Sequence, residues 1–327
     1  MKTFKKILLV SSSSGGHIFP CLVFGEYLKK KNYQVQYLGI KNQMEEKYLY
    51  PITLLDIPNS FKKSMSIYQI KKLIKEKKHI QTEIEKADAI YCFGGYISFL
   101  VSIINIKYRK KIFMHEQNVV LGDSLKFSYP FIDKIFLSFD NSLKNRKKCI
   151  YSSNPTTTKI LSRKDVDIKN PKVLFVFGSL SSLTCLKVVK QFLIKTTLPN
   201  SFLVVCGKYS NLFKDIKKEN VLIKEFVDMK EILKEYDLVF TRGGGTTLSE
   251  LLKANVEISC IPSPYVKNNH QYKNAEFLNK KGLISLIEEK DFTSERINQE
   301  IINLKRKNNY MNEINPLEIM EREIKDD

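Results

Sequence analysis

The stretch 5–20, KKILLVSSSSGGHIFP, passes from an apolar run through a loop of small residues into a sequence with a helical pattern. Gly15 and Gly16 allow a tight turn, and Pro20 fits the first turn of a helix, where its missing N–H costs nothing. The stretch therefore predicts a corner between a buried strand and a helix. Such a corner directs backbone N–H groups and the positive end of a helix dipole into one space, which suits a phosphate or a developing negative charge.

The same alternation of strand and helix patterns continues along the chain, which is typical of an α/β protein with a parallel sheet covered on both faces. A polar segment, 151–171, interrupts the pattern before it restarts. The predicted strands are 5–10, 33–39, 88–93, 111–115 and 134–138, then 172–179, 202–207, 237–244, 257–264 and 283–289. We therefore predict two doubly wound domains, 1–151 and 171–305, with a linker at 152–170 and a tail at 306–327.

The composition is that of an ordinary globular protein. The chain has 327 residues, 43% of them hydrophobic, which suffices for two domains with a core each. Its six cysteines show no C-x-x-C spacing, which argues against a zinc site and a disulfide framework. The N-terminal apolar stretch is too short for a signal peptide, and no run approaches the roughly 18 apolar residues of a membrane span. We expect the protein to stay in the cytoplasm.

Positive charge is in excess, with a formal net charge of +19. Part of it is a solvated surface, because lysine is abundant throughout, but it also clusters in segment 61–80, FKKSMSIYQIKKLIKEKKHI. The apolar residues at helical spacing there are Ile67, Ile70, Leu73 and Ile74, with Lys71 and Lys72 among the lysines around them. Such a helix can lie on an anionic membrane surface; the alternative is a surface helix whose apolar stripe faces its own core. No nucleic-acid motif accompanies the charge, so we expect no nucleic-acid partner.

Polar and glycine-rich segments follow the predicted strands, where doubly wound sheets bind their ligands. They are FGGYIS (93–98), HEQN (115–118), TRGGGTTLSELL (241–252) and YVKNNHQYKNAEFL (265–278). In the third, glycines let the backbone approach a ligand while Thr246 and Thr247 supply hydroxyls at a helix N-terminus. Glu250 can accept hydrogen bonds from the two hydroxyls of a ribose; the alternative is an acidic residue that balances the helix dipole.

With these motifs in order, the chain resembles the MurG family of peptidoglycan glycosyltransferases (glycosyltransferase family 28). The resemblance runs through nearly the whole chain. It rests on GGHIFP (15–20), GGYIS (94–98) followed by HEQN, RGGGTTLSE (242–250) and HQYKNA (270–275). It implies the GT-B fold, in which two Rossmann-like domains face a central cleft and the last helix returns toward the first domain.

The resemblance also implies a reaction. N-acetylglucosamine passes from UDP-N-acetylglucosamine, with inversion, to a muramyl-pentapeptide on undecaprenyl diphosphate. No metal or other cofactor is expected. The protein would be peripheral at the cytoplasmic face of the cell membrane, with an anionic membrane surface and other enzymes of cell-wall synthesis as candidate partners. Two alternatives stay open: a GT-B transferase that glycosylates diacylglycerol or another lipid, and a non-catalytic sugar-nucleotide-binding or scaffold protein.

Site residues follow from the matched motifs. His17 is the first candidate for the base that takes the acceptor's proton, because imidazole titrates near working pH; the alternative is a ring that only hydrogen-bonds the loop. Glu116 is the second candidate, with a structural carboxylate as its alternative. The implied substrate-binding positions are Ser14, Gly15, Gly16, Gly94, Gly95, Tyr96, Asn118, Ser179, Val227, Arg242, Gly244, Gly245, Thr246, Thr247, Leu248, Ser249, Glu250, His270, Gln271 and Asn274.

Some of these positions have a more specific implied role. Asn118 matches a position that faces the donor sugar, and the backbone of Val227 matches the position that recognises uracil. Gln271 and Glu250 resemble residues that hold ribose and diphosphate. The positions matched to phosphate-oxygen contacts are Ser179, Thr246 and Thr247.

Two departures from the family pattern concern the donor diphosphate. The second glycine loop appears as FGSLSS (177–182), which keeps Gly178 and Ser179 but loses the flanking glycines. The family's Asn-Pro-x-Arg appears as NPTT, with Thr157 in place of the arginine that meets the diphosphate. Because an arginine fork on a diphosphate is a strong charge-assisted contact, its loss is expected to weaken donor binding unless another cation substitutes. The candidates are Arg242, Lys159 and Arg163.

Overall fold

The chain folds into two compact units in a computed structural model that describes residues 6–12, 14–58, 67–156, 166–178, 181–306 and 314–325. The first unit comprises Met1–Thr157 and Glu313–Asp327, and the second comprises Thr158–Asn312. Each unit is built on its own parallel sheet, so the α/β class and the doubly wound architecture are confirmed.

The first unit contains a seven-stranded parallel sheet in the order β3-β2-β1-β4-β5-β6-β7. Its strands are β1 (Lys6–Val10), β2 (Gln34–Ile40), β3 (Ile52–Leu55), β4 (Ala89–Cys92), β5 (Lys111–Glu116), β6 (Lys134–Leu137) and β7 (Cys149–Tyr151). Its helices are α1 (Gly15–Lys30), α2 (Met44–Tyr48), α3 (Ile67–Lys86), α4 (Tyr96–Asn105), α5 (Asp123–Ser128) and α11 (Pro316–Lys325). The strand order reverses between β1 and β4, which is where doubly wound sheets form a ligand crevice.

The last helix, α11, packs on the first unit. Met320 and Ile324 are fully buried in the core cluster that also holds α1. Tyr27 donates a hydrogen bond to Glu321 Oε2 at 2.7 Å, and Tyr91 donates one to the Met320 carbonyl at 2.5 Å. Burial of an aliphatic side chain of this size stabilises a fold by about 1.5–3 kcal/mol, so α11 is an integral part of this unit's core.

The second unit contains a six-stranded parallel sheet in the order β10-β9-β8-β11-β12-β13. Its strands are β8 (Val173–Val176), β9 (Phe202–Val205), β10 (Val221–Lys224), β11 (Leu238–Thr241), β12 (Glu257–Cys260) and β13 (Ser285–Leu286). Its helices are α6 (Leu183–Lys195), α7 (Met229–Ile232), α8 (Gly245–Lys253), α9 (His270–Lys280) and α10 (Ser294–Ile302). Stacked aromatic rings lie at its centre, with Phe175 and Phe240 centroids 5.0 Å apart.

The structure corrects the sequence predictions at several elements. Strands β3, β7 and β10 were not predicted, because each is a short edge strand and β10 alternates between exposed and half-buried residues. Pro20 lies in the second turn of α1, since that helix already begins at Gly15 after the extended residue Ser14. The prediction that Pro20 occupies the first turn was therefore wrong.

The predicted basic helix corresponds to α3, which runs from Ile67 to Lys86. Ile80 is buried in the core of the first unit and Leu73 packs against it, as expected of a surface helix, while Ile74 is 65% exposed. Lys72 pairs with Asp56 at 2.7 Å. The side chains of Ile67 and Ile70 lie outside the described residues. Within the described part of the chain, no helix combines the length and the apolar character that crossing a membrane requires.

Candidate functional site

In the first unit, the corner after β1 holds the ring of His17 in a defined orientation. His17 lies in the first turn of α1, and its Nδ1 is 3.1 Å from the Ser12 carbonyl oxygen and 3.3 Å from Ser14 Oγ. Because a carbonyl only accepts hydrogen bonds, Nδ1–H is the donor, and the basic lone pair of the neutral ring is on Nε2. The ring is half-buried. This is the tautomer that a general base with Nε2 as its working atom requires.

The corner after β4 fits against this ring through two glycines. Gly94 has φ +105° and Gly95 has φ +82°, conformations that side chains of L-residues rarely adopt. A Cβ on Gly94 would lie 2.8 Å from His17 Nε2, and one on Gly95 would lie 2.1 Å from Ser12 Oγ. The segment GGYIS therefore packs closely against the His17 corner. Both positions require glycine, because a Cβ would collide with the corner and because φ is positive.

Glu116 ends β5, and its carboxylate organises the loop that follows. Oε1 accepts hydrogen bonds from the backbone N and the side-chain Nδ2 of Asn118, at 3.0 and 3.1 Å. Oε2 accepts from the Gly122 backbone N at 2.7 Å. Burial raises the pKa of Glu116, while these hydrogen bonds oppose the shift. The contacts favour the structural alternative for Glu116, since both oxygens are used to fix Asn118 and the loop.

A buried network beside Glu116 was not singled out from the sequence. Gln117 Nε2 donates to the Phe93 carbonyl at 2.9 Å and lies 3.2 Å from His115 Nδ1. His115 Nε2 is 3.3 Å from the Ser153 carbonyl, to which it donates. The network ties the ends of β4 and β5 together just before Gly94. The HEQN motif was noted, but its sequence does not reveal that three of its four side chains, His115, Glu116 and Gln117, are buried.

In the second unit, the glycine segment after β11 is pressed against α9. A Cβ on Gly243 would lie 2.3 Å from the Gln271 carbonyl oxygen. Asn274 Nδ2 donates to the Gly243 carbonyl at 3.0 Å, and Gln271 Oε1 accepts from the Ser263 N at 2.9 Å. Gly244 precedes α8 in an extended conformation with no side-chain cap. The RGGGTTLSE and HQYKNA motifs therefore meet in one place, at the N-terminus of α8.

Charged residues surround Glu250 on α8. Burial raises the pKa of Glu250 to about 7, against the opposing effect of Lys253 and Lys230. Burial likewise lowers the pKa of Lys253 to about 8. Asp228, which acts electrostatically on Glu250, directly follows the buried residue Val227. The charge of Asp228, next to the predicted uracil-binding residue Val227, thus acts on the predicted ribose-binding residue Glu250.

Arg242 is a buried cation that holds protein groups. Its Nη1 lies 2.6 Å from Glu289 Oε2 and donates to the Ile261 carbonyl at 3.0 Å. Its Nη2 donates to Ser182 Oγ at 2.6 Å. These partners occupy the guanidinium. Arg242 could contact the diphosphate in place of the missing arginine only if its ion pair with Glu289 broke.

Four of the predicted positions lie outside the described residues: Ser179, Thr157, Lys159 and Arg163. His270 is at the start of α9, where its Nδ1 donates to the Lys267 carbonyl at 2.9 Å. In the described part of the chain, no group of three or more His, Cys, Asp or Glu side chains is arranged to hold a metal ion.

Comparisons with known proteins match both units. Residues 7–137 match the glycosyltransferase family 28 N-terminal domain, and residues 172–325 match the glycosyltransferase family 28 C-terminal domain. The chain is 29% identical over 305 residues to a UDP-N-acetylglucosamine--N-acetylmuramyl-(pentapeptide) pyrophosphoryl-undecaprenol N-acetylglucosamine transferase of Sulfurihydrogenibium sp. (strain YO3AOP1), covering 89% of this chain and 87% of the relative. It is 29% identical over 328 residues to transferase 1 of the same name from Bacillus cereus (strain ATCC 14579), covering 90% and 89%.

Solved structures agree with this assignment. The chain is similar to the crystal structure of Acinetobacter baumannii MurG, with a TM-score of 0.73 and 25% identity over 92% of this chain and 90% of that one. It is also similar to the calicheamicin glycosyltransferase CalG4, with a TM-score of 0.65 over 99% and 94% of the two chains. The latter likeness, at 11% identity, concerns the fold alone.

Proposed function

Because this chain belongs to glycosyltransferase family 28, we propose that it transfers N-acetylglucosamine from UDP-N-acetylglucosamine to the muramyl-pentapeptide of an undecaprenyl-diphosphate lipid. Relatives named for this reaction align with about nine-tenths of the chain. The observation that carries the proposal is the His17 corner, in which the Ser12 carbonyl fixes the tautomer of the ring.

In the proposed reaction, His17 Nε2 takes the proton of the acceptor hydroxyl. The hydroxyl oxygen forms a bond to the anomeric carbon of the donor sugar while the bond from that carbon to the UDP oxygen breaks, so the configuration inverts. UDP leaves with its electron pair, and no cofactor is consumed. General base catalysis of this kind contributes typically 10²–10⁴-fold to a rate. Glu116 acts at a distance by holding Asn118, which we place against the donor sugar.

The second unit would bind the nucleotide. The backbone of Val227 pairs with uracil and Glu250 accepts from the ribose hydroxyls. The diphosphate lies at the N-terminus of α8, where Thr246, Thr247 and the helix dipole stabilise negative charge. Gln271 lies against Gly243, just before the same helix, where a Cβ would be 2.3 Å from the Gln271 carbonyl oxygen.

We place the protein at the cytoplasmic face of the membrane as a peripheral protein. The support is a set of exposed apolar side chains on or just after helices of the first unit, in segments that also carry lysines. Ile74 on α3 and Phe127 on α5 are 65% and 66% exposed, and Ile103 and Ile106 are also exposed. Apolar side chains next to basic residues bind anionic lipid surfaces.

Two assays decide among acceptors. Purified protein is given UDP-N-acetylglucosamine with either a short-chain muramyl-pentapeptide diphosphate lipid or diacylglycerol, and the products are separated by mass. Glycosylation of the first acceptor alone is expected. Transfer to diacylglycerol alone would overturn the proposed acceptor. Binding of UDP without transfer to either lipid would favour a non-catalytic sugar-nucleotide-binding protein.

A further inference from the structure

The hydroxyl of Ser182 is placed to do more than cap α6. Its Oγ accepts a hydrogen bond from the Cys185 N at 3.4 Å, as an N-cap, and a second from Arg242 Nη2 at 2.6 Å. A serine hydroxyl accepts at two lone pairs and donates one proton. Both acceptor positions are thus filled, and among the described residues no acceptor pairs with the proton.

Arg242 makes this hydroxyl a stronger donor. The guanidinium is buried and anchored by Glu289 and the Ile261 carbonyl, so it approaches Ser182 from a fixed position. A hydrogen bond accepted from a cation polarises the hydroxyl and strengthens the bond that it donates in turn. The positive charge of Arg242 can therefore act on a ligand through Ser182 although the guanidinium keeps its protein partners.

Two described contacts hold Ser181, the residue that precedes Ser182. Ser181 N donates to the Gly178 carbonyl at 3.1 Å. Ser181 has φ +51°. Its Oγ fills the space where a side chain at position 207 would begin, since a Cβ on Gly207 would lie 2.6 Å from it. Around the Cβ position of Gly178, by contrast, no described atom lies within 4 Å. Ser181 thus takes a positive φ at the position where the family has a glycine, and the described residues leave the space beside Gly178 unfilled.

We propose that the Ser182 hydroxyl donates a hydrogen bond to a phosphate oxygen of the nucleotide donor. The inference rests on the proposed function, because it requires a UDP-sugar in the second unit. The contact would supply part of the stabilisation that an arginine at position 157 provides in the family, and Arg242 would be its positioning residue. It adds a phosphate-binding side chain at a position where the resemblance assigned none.

The test compares binding of UDP and of uridine, which lacks the phosphates, by calorimetry. Ser182→Ala is expected to raise the Kd of UDP about 10-fold or more, the loss of one hydrogen bond to a charged group, while the Kd of uridine stays unchanged. Ser182→Thr, which keeps a hydroxyl and a cap, is expected to bind UDP within about 3-fold of the wild type.

Thr293→Ala is the matched control. Thr293 caps α10 in the same unit by accepting from the Arg296 N at 3.1 Å, so this variant loses a comparable cap without touching the turn at 178–182. It is expected to bind UDP like the wild type. Equal loss of UDP and uridine binding in Ser182→Ala, or an unchanged UDP Kd, would overturn the inference. A wild-type protein that binds neither UDP nor uridine would overturn the proposed function and the inference with it.

Discussion

Substitution of Gly94 by alanine tests the shape of the His17 corner. The new Cβ would lie 2.8 Å from His17 Nε2 and 2.9 Å from its Cδ2, whereas ordinary van der Waals contact begins at 3.4 Å. The ring must therefore move by about 0.6 Å. Because a misplacement of about 1 Å in a catalytic group can cost about 10²-fold, we expect sugar transfer to fall about 10- to 100-fold.

The same substitution also strains the backbone, and a control separates the two effects. A non-glycine residue at φ +105° costs about 1–3 kcal/mol. Gly282 in the second unit has φ +71°, and no described atom lies within 4 Å of its Cβ position. Gly282→Ala therefore imposes backbone strain without a steric contact.

The assays are initial-rate transfer, UDP binding and thermal unfolding. Both variants are expected to lower the unfolding temperature, but only Gly94→Ala should lower the rate, and neither should change the Kd of UDP. Equal transfer rates in Gly94→Ala and the wild type would show that the glycine corner does not position His17.

Three further predictions concern other parts of the molecule. UDP-N-acetylglucosamine binding should strengthen up to about tenfold from pH 6 to pH 8. Burial raises the pKa of Glu250 to about 7, and the carboxyl group must lose its proton before it can accept from both ribose hydroxyls. Calorimetry should show no such pH dependence in Glu250→Gln. Ile74→Asp should reduce co-flotation of the protein with anionic vesicles several-fold, whereas the control Leu222→Asp, at an exposed position of the second unit, should not. Equal vesicle binding by Ile74→Asp and the wild type would exclude α3 from the membrane contact. Because Met320 is fully buried, Met320→Ala should lower the free energy of unfolding by about 2–5 kcal/mol in a denaturant titration. A loss under about 1 kcal/mol would contradict the placement of α11 in the core.

The fold was largely predictable because buried strands leave a clear apolar signal. The corner at 5–20 and the central strands of both sheets were found in this way. Edge strands such as Ile52–Leu55 and Val221–Lys224 were missed, since half-exposed residues remove that signal. Positions at the carboxyl ends of strands were also predictable, because the parallel sheet places them at one edge.

The partners of the site residues were not predictable. Which oxygen of Glu116 binds Gly122, and which protein groups occupy Arg242, depend on contacts between segments far apart in sequence. From the sequence, Arg242 was a candidate to replace the missing diphosphate arginine, whereas in the structure it pairs with Glu289 and donates to Ser182. Such contacts are set by tertiary packing and leave no local pattern.

The proposed reaction and its base are tested together by measuring transfer of labelled N-acetylglucosamine from UDP-N-acetylglucosamine to a short-chain muramyl-pentapeptide diphosphate lipid, with wild type and His17→Ala side by side. We predict turnover by the wild type, a loss of about 10²–10⁴-fold in His17→Ala, and an equal Kd of UDP for both proteins. Turnover by His17→Ala at the wild-type rate would contradict the assignment of His17 as the base. Wild-type protein that binds UDP but transfers no sugar to this acceptor would contradict the reaction itself.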